Sequence, residues 1–418
     1  MKTILGFDSW TGGAHNYERL VNAFKENGFD LTLLHIGSWG GDIGRKPKET
    51  IGSLKVIDVN HYSGKSLLNI LDDIKPEAVV FLSNDVFAHR AFNRYCRLRN
   101  IPTLRLYHGL VEIQDTSTSR IYKTNIFSQF RFVLERMPKA FKYIWPLYIH
   151  SLYVSNGTIK DWLAFFSDIY KQAFGIYISE ASDDCRTSTC AVYTKADVSH
   201  AVKKYKYEIT DVHVVGNPDL IRFSLENGLL GSFCFKGIPP SNQVVYVDTG
   251  LIFAGMVFDN KNDFLEYLIR LKEVLYQLGL QLSVKLHPDH FRIDTPKLIS
   301  DAGIQVIEND DFVTSLLHSR AAIVEPSSAA LIPALLGVPV LMAAFDKLQN
   351  QKYGSILMNY PRSALVTDSE KILTMIGQIE SRDISQVRAW IEENSGPLPA
   401  DEMPERVAGV INRLIRKW

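Results

Sequence analysis

Two short signals, Leu286-His287-Pro288 and Glu325-Pro326-Ser327-Ser328, carry the side chains in this sequence best suited to hold and act on a phosphate. His287 ends an apolar run, 280–286, whose alternation suits a strand. Its imidazole therefore belongs at the strand's carboxyl end, where open α/β sheets bind ligands. Ser327 and Ser328 follow a second strand-like run, 320–324, and open a small-residue helix over about 329–336, closed by Gly337 before Pro339. Two hydroxyls and free backbone N–H groups at a helix N-terminus make a site for phosphate. Pro288 stops the first strand sharply, and the stretch 281–342 becomes the one that the rest of the chain has to position.

The elements that do so come as two alternating series. The second series predicts strands near 243–247, 282–286, 305–307, 321–324 and 338–342, with helices near 263–278, 313–317 and 329–336. The first predicts strands at 3–7, 31–36, 78–82 and 103–107, and helices over 16–27 and 86–99. Gly12 and Gly13, in the turn after the first strand, lack the spacing of a dinucleotide fingerprint; they contact a phosphate, grip an acceptor, or simply turn the chain. His108 follows its strand to the same sheet edge as Ser83-Asn84-Asp85, and is either an acceptor-site group or a strand-end histidine satisfied by backbone. A glycine- and proline-containing stretch, 228–241, reads as the connection between the two series.

Length and composition agree with two domains. The chain has 418 residues, too many for one ordinary core, and its 46% apolar and 22% charged residues are those of a globular protein. Forty-six basic residues balance forty-six acidic ones, which excludes nucleic-acid binding through bulk charge and makes any anion recognition local. Cys96, Cys185, Cys190 and Cys234 are scattered and complete no zinc pattern, so they read as reduced thiols, and no metal site is expected. The first residues do not read as a signal peptide, and no run of about eighteen apolar residues occurs, so a cytoplasmic location is expected.

One stretch, 131–153, interleaves Arg131, Arg136, Lys139 and Lys142 with Phe132, Phe141, Tyr143, Trp145 and Tyr148, and the same mixture returns in the terminal helix ending at Trp418. Such segments suit a membrane surface, here the inner face of the plasma membrane, as well as an ordinary core edge with solvated lysines.

The chain resembles the GT-B glycosyltransferases, and its second half is similar to bacterial sialyltransferases and to the Kdo transferases of capsule and lipopolysaccharide assembly. The resemblance rests on Asp248-Thr249-Gly250, His287-Pro288 and Ser327-Ser328, in that order, and on the run 84–109 with Ile101-Pro102-Thr103 and His108-Gly109. Thr249 departs from the second acidic residue that many sialyltransferases carry.

The resemblance implies an α/β fold of two Rossmann-like doubly wound domains facing a cleft, an acceptor domain over 1–225, a donor domain over 240–395 and a C-terminal helix over 396–418. It implies transfer of a 3-deoxy-2-ulosonic acid (Kdo or sialic-acid-like) from a CMP-activated donor to a saccharide or glycolipid acceptor, without a cofactor or metal. His287 would donate to the leaving phosphate, Ser327 and Ser328 would bind it, Lys285 would add positive charge, and Glu325 would take the ribose hydroxyls. Asp248 would be the base or, in a double displacement, the nucleophile; Glu180 is either a second carboxylate or a solvated loop acid. A UDP-sugar or CDP-glycerol donor, or a noncatalytic nucleotide-sugar-binding role in a polysaccharide assembly complex, are the alternatives.

Overall fold

The protein is described by a computed structural model over residues 1–9, 13–40, 46–108, 138–173, 181–223, 225, 228–234, 241–252, 257–380 and 383–418. Gly12, Glu180 and the segment 131–137 lie outside the described residues. The chain divides into two compact units, one from Met1–Gly109, Asn125–Gly216 and Pro397–Trp418, the other principally from Asn217–Gly396. The division falls after Gly216, where the Gly-Asn-Pro turn stops a strand, rather than at 225.

The first unit is an eight-stranded sheet: β1 (Lys2–Asp8), β2 (Phe29–His35), β3 (Lys48–Ile51), β4 (Leu54–Asp58), β5 (Ala78–Phe81), β6 (Thr103–Leu106), β7 (Thr189–Val192) and β8 (Val212–Val214). Their spatial order is β3-β4-β2-β1-β5-β6-β7-β8, parallel throughout except for the β3–β4 edge hairpin. The central strands β5, β6 and β7 are buried along their whole length and β1 from Ile4 to Asp8, on both faces, as a parallel sheet covered by helices requires. The helix expected over 16–27 is two short ones, Ala14–Glu18 and Val21–Glu26, joined by a tight turn in which the Leu20 N–H bonds the Tyr17 carbonyl.

Helix α1 (Phe87–Leu98) lays Ala88, Phe92, Tyr95 and Cys96 on the β1–β5 core and carries Arg90 and Arg94 one turn apart. These two guanidiniums hold α2 (Trp145–Val154) and α3 (Ile159–Ala173) in place. Arg90 donates to Asp184 at 2.9 Å, to Asp168 at 2.7 Å and to the Tyr148 hydroxyl at 2.9 Å; Arg94 donates to Asp184 at 3.1 Å and to Asp161 at 2.7 Å. Arg90 and Asp184 are buried, so each charge is tolerated only because the other is there. The opposed guanidiniums hold Asp184 down at about 2, against the upward push of burial.

The second unit is a six-stranded parallel sheet of β9 (Gln243–Val247), β10 (Gln281–Lys285), β11 (Gln305–Val306), β12 (Ala321–Val324), β13 (Val340–Ala343) and β14 (Ser363–Val366), in the order β11-β10-β9-β12-β13-β14. Counted within the unit this is 3-2-1-4-5-6, the doubly wound order whose switch point lies between its first and fourth strands, β9 and β12. Helix α4 (Lys261–Gln277), capped by the Asn260 side chain on the N–H groups of Asn262 and Asp263, buries Phe264, Tyr267, Leu268, Leu271 and Leu275 against this sheet. Helix α5 (Leu331–Leu336) is buried on every side and is preceded by a 3-10 turn, Ser328–Ala330.

The terminal helix α6 (Met403–Lys417) is not a separate element after the second unit. It returns to the first unit, burying Met403, Val407, Ala408, Val410, Ile411 and Leu414, with Asn412 bonded to Asn27 and Lys417 to Asp211. Its apolar face is core, as the second of the two readings of that helix has it. Among the described residues, no helix is long and apolar enough to cross a membrane.

Candidate functional site

In the second unit the carboxyl ends of β10, β9 and β12 stand side by side, and each delivers one of the expected residues: His287 after β10, Asp248 after β9, Glu325 after β12. The link between them is the dipeptide Thr249-Gly250.

Asp248 has a side chain only 1% exposed, and its oxygens are spoken for by the chain itself. Oδ1 accepts from the Gly250 N–H at 2.9 Å, Oδ2 accepts from the His287 N–H at 2.8 Å, and His290 Nε2 lies 3.1 Å from Oδ2. His290 is fully buried and stacks on Phe264. Gly250 adopts φ +75°, and a Cβ there would stand 2.9 Å from His287 Cγ, so the glycine supplies both a left-handed turn and the floor under the imidazole.

The His287 side chain is 40% exposed. Its Nδ1 accepts the Asp289 N–H at 3.3 Å, capping the short turn Pro288–Arg292. With Nδ1 accepting, the neutral ring carries its proton on Nε2 and acts there as a donor. Burial lowers the His287 pKa, against the Asp248 and Asp289 carboxylates that pull it up, so the neutral form is favoured more than in a free histidine.

Glu325 does not reach outward as a ribose ligand would. It is fully buried, accepts from the Tyr246 hydroxyl, and takes the Thr249 N–H at 3.0 Å and the Thr249 hydroxyl at 2.7 Å. Burial first, and the Asp248 carboxylate second, push it up to about 8. Lys285 is also turned inward: it is buried, donates to the Leu286 carbonyl at 2.9 Å and lies over the Phe312 ring.

Ser327 sits at the mouth of the β12–α5 connection, with its Oγ buried and making no hydrogen bond. A hydroxyl shielded from water without a partner is an unfavourable arrangement that a ligand oxygen would relieve. The side chain of Ser328 lies outside the described residues, and its backbone opens the 3-10 turn. Among the described residues, no cluster of three His, Cys, Asp or Glu side chains could hold a metal ion.

The first unit has its own switch point, between β1 and β5. Asp8 ends β1, with His89 Nε2 at 3.7 Å from its Oδ1; Gly13 packs so that a Cβ would stand 3.1 Å from Asp8 Oδ2. His108 is exposed, and its Nδ1 is bonded to the Leu82 carbonyl at 3.0 Å, the backbone satisfaction that was the plainer of its two readings. Asn84 is fully buried with neither amide atom hydrogen-bonded.

Sequence reasoning found the strand ends but missed Tyr246 and His290, and gave no contact to Thr249 or Gly250. His290 was visible as the third residue after His287, and Tyr246 as a polar ring inside an otherwise aliphatic strand.

No family model matches the sequence, and no curated protein matches it. Solved structures do match. CalG4, a calicheamicin glycosyltransferase, is similar with a TM-score of 0.54 at 12% identity, over 100% of this chain and 99% of that one. A structure of the wall teichoic acid polymerase TagF is similar with a TM-score of 0.50 at 11% identity, over 100% of this chain and 89% of that one. These likenesses establish the fold, two parallel-sheet α/β units of the GT-B kind.

Proposed function

We propose that this chain is a glycosyltransferase whose second unit binds a CMP-activated ulosonic acid donor at the carboxyl ends of β10, β9 and β12, with a saccharide or glycolipid acceptor belonging to the first unit. The observation that carries the reading is Ser327 Oγ, buried and without a hydrogen bond two residues after Glu325, the residue that holds Thr249, while the half-exposed His287 follows β10, on the other side of β9. A phosphate oxygen would accept from Ser327 Oγ, and the bridging oxygen would accept from His287 Nε2–H as charge develops on the departing nucleotide. Both donors are neutral, and Lys285 spends its ammonium on a backbone carbonyl. Among the described residues named here, that inventory suits one phosphate better than a diphosphate, whose extra charge calls for a local cation.

Asp248 takes a different part in this account from the base or nucleophile expected of it. Buried and engaged on both oxygens, it acts as the positioning residue that sets the His287 backbone and the Gly250 floor. Glu325 does the same for Thr249 from the other side.

The test is a transfer assay with CMP-activated Kdo and CMP-activated sialic acid beside UDP-sugars and CDP-glycerol, with the product read by NMR. Release of CMP coupled to a new glycosidic linkage is the expected result. Turnover only with a diphosphate donor would move the chain to the other donor class, and binding without any transfer would make it a nucleotide-sugar binder.

A further inference from the structure

The first unit exposes an apolar stripe that its core does not use. Along α3, Ile159, Leu163, Phe166 and Tyr170 recur at intervals of four, three and four, the spacing of one helical face, and are 79%, 64%, 61% and 58% exposed. Phe165, a different face of the same helix, is the one buried against Phe87, Ala91, Tyr148 and Leu152. The stripe is thus not a core face left slightly open but a second face, about 17 Å long at the helical rise of about 1.5 Å per residue. Contiguous apolar surface of this kind on a folded unit marks an interaction site.

Charge says what covers it. Between 138 and 173 the chain carries Lys139, Lys142, Lys160 and Lys171 against Asp161 and Asp168. Both aspartates are consumed internally, Asp161 by Arg94 at 2.7 Å and Asp168 by Arg90 at 2.7 Å. What the segment presents outward is therefore basic. On α3, Lys160 and Lys171 fall at about 100° and 120° from Ile159 at 100° per residue, along one border of the stripe, where their stems can lie on the apolar face while the ammonium groups reach past it. An apolar face with aromatic rings and a lysine border is complementary to an anionic bilayer surface, where rings sit at headgroup depth and cations meet lipid phosphates.

We propose that α3 docks this unit on an anionic lipid surface through Ile159, Leu163, Phe166 and Tyr170, with Lys160 and Lys171 contacting the headgroups. The proposal is independent of the donor reading, since none of these residues belongs to the second unit.

Co-sedimentation of the full chain with phosphatidylcholine vesicles, with and without phosphatidylglycerol, tests it. The chain should bind the phosphatidylglycerol vesicles, and Leu163→Gln with Phe166→Gln should weaken that binding about tenfold or more while the unfolding midpoint stays unchanged. Ile159→Gln with Tyr170→Gln should repeat the loss, which guards against a folding defect in one pair. Lys160→Gln with Lys171→Gln should weaken binding at low salt and flatten its salt dependence. Absence of vesicle binding by the wild-type chain, or binding unchanged in both glutamine pairs, overturns the proposal. So does a self-association that both glutamine pairs abolish in a chain that ignores vesicles, which would assign the stripe to a second copy.

Discussion

Asp248 Oδ2 accepts the backbone N–H of His287 at 2.8 Å, and through Oδ1 the same carboxylate holds Gly250, on which the His287 ring rests. One buried side chain therefore fixes both where the imidazole starts and what it leans on. Preorganised donors of this kind are what stabilise developing charge on a leaving group.

An Asp248→Asn variant keeps only one of the two acceptors, so an amide N–H must face a backbone N–H. We expect a loss of about 1–3 kcal/mol of stability together with reduced turnover, and, in the wild-type chain, no sugar-sized mass on the peptide containing Asp248 after incubation with donor and a poor acceptor. Mass spectrometry showing that adduct would make Asp248 the nucleophile instead. Intact stability with abolished turnover would return it to the role of base.

Gly250→Ala combines a left-handed backbone with a Cβ that would meet His287 Cγ at 2.9 Å. The backbone alone should cost about 1–2 kcal/mol, and the clash should displace the ring. A fall in the unfolding midpoint with a loss of turnover comparable to that of His287→Gln is the expected pairing. A stable, active variant would show that the ring does not depend on this floor.

Burial first, and the Asp248 carboxylate second, push Glu325 in the folded chain up to about 8 from an ordinary value of 4.5. Between those values the folded state holds a proton that the unfolded state has released, so this group makes stability fall as pH rises through the window and leaves it level below and above. Glu325→Gln imitates the protonated acid, offering its carbonyl to Thr249 and its amide to a reoriented Tyr246 hydroxyl. Denaturant titrations of both proteins from pH 4.5 to 8 should show the wild-type losing stability relative to the variant. Parallel curves would mean that Glu325 is ionised in the fold.

His287 is pushed toward its neutral form by burial, and protonation would also remove the Nδ1 acceptor that holds the Asp289 N–H. Turnover should therefore be level above the ordinary histidine value of 6.5 and fall as pH drops below it. His287→Gln should lower turnover by about a hundredfold and erase that acid limb. Turnover that rises with acidity would make the imidazolium the working form.

Much of this arrangement was legible in residue order. The bounds of β9 and β12 follow directly from their aliphatic runs, and His287 and Ser327 fall at strand ends because Pro288 and Pro326 stop the strands before them. What order could not reveal is which way a strand-end side chain turns. Glu325 points inward because Tyr246 and Thr249, far away in sequence, offer it three hydrogen bonds, and Lys285 donates to its neighbour's carbonyl. The β3–β4 hairpin was missed although the Gly52-Ser53 pair between two alternating runs announces it. The α3 stripe shows the converse limit: its period is plain in the sequence, but the period says that a face exists, not that Arg90 and Arg94 anchor the helix so that this face looks outward.

The account turns on Ser327 as a phosphate ligand, and calorimetry of CMP and of cytidine on the wild-type chain and on Ser327→Ala tests it most directly. Removing a buried hydroxyl without a partner should leave the unfolding midpoint unchanged or slightly raised, while CMP affinity falls about tenfold and any cytidine affinity stays the same. Equal losses for the two ligands, or CMP binding untouched by the substitution, would contradict the phosphate site on which the proposed function stands.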